Sequence, residues 1–72
     1  MDYRKQCKTA YRLHGDRLLE IIRRVGQTTV PLDSLAGKAL TYARDLGQVR
    51  QSAYDPATDN ATFVLVEPVE EQ

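Results

Sequence analysis

This 72-residue sequence predicts an α+β fold, two or three helices followed by a C-terminal β-hairpin, and three observations carry that prediction. Apolar residues from Tyr3 to Val25 hold one helical phase. A second helical repeat runs from Leu32 to Leu46. After Gly47 the pattern changes to short β-branched and aromatic runs on either side of an Asp-Pro turn. Residues 1–68 read as one small domain and residues 69–72 as an acidic tail.

The first segment is the element around which the rest is arranged. Cys7, Tyr11, His14, Leu18, Ile21 and Val25 alternate in steps of four and three, which places them on one stripe; Tyr3, Ala10 and Ile22 broaden it, while Leu13 and Leu19 fall off it. A continuous helix over Tyr3–Val25 would be about 35 Å long. A compact domain of this size has a radius of gyration of about 11 Å and a diameter near 30 Å. The overhang predicts a homodimer with those six residues at a helix–helix seam. A second reading stays open, in which Gly15 ends one helix and Asp16 caps the next. A capping box would then want Glu or Gln at position 19, where Leu19 stands, and Glu20 is one place late. Gly15 inside a continuous helix would cost about 1 kcal/mol relative to alanine. Gly26 closes the segment in either case.

Gln27-Thr28-Thr29-Val30 reads as a loop or a short edge strand, and Pro31 suits the first turn of the second helix. Leu32, Leu35, Ala36, Ala39, Leu40, Ala43 and Leu46 then repeat at helical spacing until Gly47. Alanine on the buried face allows close approach to the first helix, leaving Ser34, Lys38, Thr41 and Asp45 outward with Arg44 to one side. Two strands follow, Val49 to Tyr54 and Ala61 to Val66, joined through Asp55-Pro56. The first alternates; Phe63, Val64, Leu65 and Val66 are apolar on both faces and call for cover on both sides.

Leu46 to Glu67 resembles the end of a winged-helix domain, in particular the wing of the MarR-type regulators. The resemblance rests on Leu46-Gly47 at the helix end, Val49-Arg50 opening a strand, Asp55-Pro56 at the wing tip, and Phe63 to Val66 followed by Glu67. Upstream, Leu18 to Gly26 and Val30 to Ala36 are similar to that class's first helix, short strand and second helix. The sequence departs from it in two ways. Ala36-Gly37-Lys38 continues one helix where a separate recognition helix is expected, and the tip carries Asp59-Asn60 in place of arginines.

Charge and composition narrow the function. Net charge is zero, yet residues 1–24 hold seven Lys/Arg against three Asp/Glu, and residues 51–72 hold five acids without a Lys or Arg. One cysteine allows no intramolecular disulfide, and the start MDYRKQCK lacks the apolar run of a signal peptide, which predicts a cytoplasmic location. No run reaches transmembrane length. Glycine-rich phosphate loops, metal-ligand spacings and nucleophile motifs are absent, and Cys7 and His14 sit about 10 Å apart along one helix. The expectation is a non-enzyme without metal, cofactor or small-molecule substrate.

Together with the resemblance, this predicts a dimeric regulator of double-stranded DNA. Lys38, Thr41 and Arg44 on the second helix and Arg50 at the wing base would contact DNA, and Arg4, Lys5, Lys8 and Arg12 would form a phosphate-binding ridge. The competing reading is a protein-binding adaptor or inhibitor, of the kind encoded by phages and mobile elements, that docks on a larger protein. Zero net charge, the acidic tip and the over-apolar last strand favour it.

Overall fold

The computed structural model describes residues 2–66 of the chain. It is an α+β arrangement of two helices and a three-stranded antiparallel sheet: α1 (Tyr3–Val25), β1 (Thr28–Pro31), α2 (Leu35–Asp45), β2 (Val49–Asp55) and β3 (Asn60–Leu65). The strand order is β1-β3-β2. The acidic segment 69–72 lies outside the described residues.

Of the two readings of the first segment, the continuous helix is the one observed. Asp2 caps it, its carboxylate accepting the Arg4 N–H at 3.1 Å. Gly26, left-handed at φ 104°, ends it and donates its N–H to the Ile22 carbonyl at 2.7 Å. Gly15 has a packing role inside the helix. A Cβ there would lie 2.8 Å from Cδ1 of Tyr11, whose ring occupies the space.

The buried stripe departs from the expected seam. Cys7, Ala10, Gly15, Leu18 and Ile22 are buried, whereas Ile21 is 39% and Val25 71% exposed. Val25 lies five whole turns from Cys7 and shares its phase, so it is exposed as the last residue of α1, whereas Ile21, two heptads on at about 20° of drift each, is turned about 40° from Cys7. The six-residue dimer seam therefore does not survive as one surface. Cys7 and Leu18 are enclosed within the chain, Tyr11 packs on Tyr42 with ring centroids 5.1 Å apart, and His14 is half-buried. Leu19, off the stripe by sequence, packs against the core.

Pro31 ends β1 and does not open the second helix. Ser34 is the N-cap of α2, its hydroxyl oxygen accepting the Gly37 N–H at 3.0 Å while its O–H donates to the Pro31 carbonyl at 2.6 Å. After Leu46, Gly47 (φ 82°) turns the chain; its N–H bonds the Arg44 carbonyl and the Gln48 N–H bonds that of Ala43.

Central β3 pairs with both neighbours, Thr28 opposite Phe63 and Val49 opposite Leu65. The register of β2 shifts between Gln51 and Ala53, leaving Ser52 as a bulge in an edge strand. The Asp55 carbonyl accepts from the Thr58 N–H at 3.3 Å and its carboxylate from the Ala57 N–H at 3.0 Å, the turn expected of Asp-Pro. Helices cover one sheet face, burying Ala61 and Phe63; Val64 stands half-buried on the other. The four largest fully buried side chains, Ile22, Leu40, Val49 and Phe63, come one from each of α1, α2, β2 and β3.

The two buried helical glycines should respond differently to alanine, which favours a helix interior by about 1 kcal/mol over glycine. At Gly37 a Cβ would overlap the Pro31 carbonyl oxygen and fall 2.6 Å from Leu32 Cα, both backbone, so overpacking of about 1–3 kcal/mol outweighs the propensity gain. At Gly15 the obstacle is the movable Tyr11 ring. Thermal unfolding should show Gly37→Ala melting well below the parent and Gly15→Ala within a few degrees of it. A Gly37→Ala protein as stable as the parent would contradict the close approach of α2 to the β1–α2 connection.

Candidate nucleic-acid interface

The cations assigned to DNA contact divide into two groups once placed in the fold. Arg4, Lys8 and Arg12 recur every fourth residue along α1 with Lys5 beside them, and all four are exposed. From Arg4 to Arg12 the row is about 12 Å long. Among the described residues the ion pairs are those of Glu20, with Arg23 at 3.0 Å and Arg24 at 3.3 Å, so none of the four ridge cations is ion-paired, although the Asp2 carboxylate caps the same helix end and Asp16 stands one turn beyond Arg12. Both Glu20 pairs are surface contacts, more than half exposed, worth at most about 1 kcal/mol.

The second group does not form one reading surface. Lys38 is half-buried and donates to the Gln6 side-chain oxygen on α1 at 3.0 Å. Thr41 donates its hydroxyl to the Gly37 carbonyl at 2.8 Å and neighbours Tyr3, whose phenol is pushed up by burial and then by hydrogen bonding to Cys7, with Thr41 acting the other way. The expected outer face of α2 thus turns toward α1, because the longer helix runs beside it. Arg44 bonds the Gln51 side-chain oxygen at 3.2 Å. Val49 and Gln51 face the helices, so Arg50 between them projects from the opposite sheet face, opposite Val64 on β3.

The turn between β2 and β3 is tied together by its own acids. Asp59, at φ 60°, takes a left-handed conformation that Asp tolerates, and its carboxylate accepts the Tyr54 hydroxyl at 2.8 Å. That bond, then desolvation, then the charges of Asp59 and Asp55 raise the Tyr54 phenol above its ordinary value. Among the described residues neither Asp55 nor Asp59 is in an ion pair.

Among the described residues no three His, Cys, Asp or Glu side chains gather as a metal site, and no helix is long and apolar enough to cross a membrane. Sequence reasoning missed the contacts Tyr11–Gln48 (2.7 Å) and Tyr54–Asp59, which join residues remote in helical or strand phase. It placed Leu13 off the stripe without giving it a use, and it counted Leu35 in the apolar repeat of the second helix, where the structure leaves it exposed beside Leu13.

Comparison with protein-family models, with curated proteins and with solved structures finds no match for this chain.

Because the folded-state phenol is raised, the Tyr54–Asp59 bond holds the tip below pH 10 and is lost as pH rises through the Tyr54 value. A ring-carbon NMR titration should give Tyr54 a midpoint above that of free tyrosine. Asp59→Gly, which keeps the left-handed backbone, should return it toward pH 10. An unchanged midpoint would mean that the tip is open in solution.

Proposed function

We propose that this chain is a non-enzymatic regulatory protein that binds double-stranded DNA, with the first half of α1 laid along the phosphate backbone. One observation carries the reading: Arg4, Lys5, Lys8 and Arg12 form an exposed row that takes part in no ion pair among the described residues, and five of the chain's ten acids come after residue 50, where the sequence has no Lys or Arg. A row of unpaired cations on a rigid helix holds phosphates without ordering cost in its backbone, and its affinity comes from released counterions. The resemblance of Leu46 to Glu67 to a winged-helix wing supports the same class of partner, and Arg50 on the open sheet face is a further phosphate contact at the wing's base.

Lys38 and Thr41 have no part in this reading, since both are half-buried against α1. Dimerisation through the original seam has none either, because Cys7 and Leu18 are already buried.

Five phosphate contacts, four on the ridge and Arg50, predict that log affinity falls with log salt at a slope of about −4.5, or about a five-hundredfold loss between 50 and 200 mM. Fluorescence anisotropy on a mixed-sequence duplex should show this slope. The triple variant Arg4→Ala, Lys8→Ala, Arg12→Ala should flatten it by nearly three units while melting like the parent. A parent that does not bind at low salt, or a triple variant with an undiminished slope, would remove the α1 ridge from consideration.

A further inference from the structure

A second surface lies on the flank of α1 that faces α2, distinct from the ridge. Two open hollows, of about 240 and 290 Å³, adjoin there with Leu35 shared between them. Ala10, Leu13, Leu18 and Ala36 form the rest of the apolar floor, with Arg17 at one end and Lys38 at the other. From Gln6 to Leu18 the groove runs about 18 Å along α1. Leu13 is 70% and Leu35 60% exposed, so two large apolar side chains project into water where the structure has no internal use for them. No residue lining either hollow is acidic; the charged ones are Arg17 and Lys38, and His14 joins them.

We infer that this groove is the docking site for an acidic amphipathic helix of a partner protein. Two antiparallel helices side by side present a channel into which a third helix packs ridge to groove, and the floor is long enough for about three turns of it. Charge selects the occupant. A partner with apolar residues at positions i, i+3, i+4 and i+7 seats them on Leu13, Leu18 and Leu35, and glutamates on its flanks meet Arg17 and Lys38. The Lys38 ammonium keeps two N–H donors beyond the one given to Gln6 at the rim of the same hollow. A second copy of the chain would instead bring these cations against their own kind, because a two-fold contact applies each patch to itself. The site is independent of the DNA reading, since none of its residues belongs to the ridge.

The test uses two stapled helical peptides of about 14 residues that share one leucine face, one flanked by glutamate and the other by lysine; stapling removes the ordering cost that short helices carry. Titrated into the full chain, the glutamate peptide should saturably shift the backbone amides of Ala10, Leu13 and Leu35 and bind at least tenfold more tightly than the lysine peptide. The double variant Arg17→Glu, Lys38→Glu should reverse that preference. Leu35→Asp should abolish binding while leaving the rest of the amide spectrum in place, because an acid in the first turn of α2 suits the helix dipole. Equal binding of the two peptides, shifts confined to other residues, or no binding of either would overturn the assignment. So would self-association at tens of micromolar that Leu35→Asp removes, which would make the occupant a second copy.

Discussion

The fold depends on one meeting point, where Ile22, Leu40, Val49 and Phe63 enter from α1, α2, β2 and β3 and exclude water completely. Burying a side chain of this kind stabilises by about 1.5–3 kcal/mol. A domain of this length has a net stability of roughly 4–11 kcal/mol. Each of the four is thus a sizeable share of the total, and no element can shift without uncovering one of them. The remaining buried residues are small: Ala10, Ala39, Ala43 and Ala61 fill the space around the four and let the helices and the central strand approach closely.

That meeting point also decides which way the polar residues face. With Ile22 and Leu18 turned into the core, the rotation of α1 is set, and Arg4, Lys5, Lys8 and Arg12 are carried to solvent as a group. The same rotation leaves Leu13 outside beside Leu35, and both are exposed. Docking α2 along α1 occupies Lys38 and Thr41 with local hydrogen bonds. Two surfaces of opposite chemistry therefore lie on different sides of one helix, a cationic ridge and an apolar groove with cationic ends.

Shape follows from the length of α1. The molecule measures 45 × 26 × 18 Å with a radius of gyration of 12.1 Å, close to that of a compact chain of this length but elongated. A helix longer than the sheet it covers leaves a stretch whose outer sides no other element reaches, and it is there that the unpaired cations are found. The acidic tip closes on itself through Asp55 and Asp59, so the polarity visible along the sequence persists as a polarity in space.

Sequence left residues 27–30 as a loop or an edge strand and placed Pro31 in the second helix, while it alone determined the helical segments with their glycine ends, the Asp-Pro turn and the final hairpin. These rest on local rules of periodicity, capping and turn chemistry that need no partner in space. It also determined the segregation of charge and the four cations of the ridge, because residues four apart share a helix side whatever the helix packs on. Tertiary structure alone decided whether Gly15 breaks the helix, since the Tyr11 ring that lies over Gly15 is held by Tyr42 and Gln48 from elsewhere in the fold. It decided that Ile22 and not Ile21 is buried, a choice between neighbours about 100° apart on either flank of the stripe that is undetermined until a sheet stands against one of them. It also decided the fate of Lys38 and Thr41: a side chain's exposure is set by what lies beside it, and α1 lies beside α2 only in the folded chain.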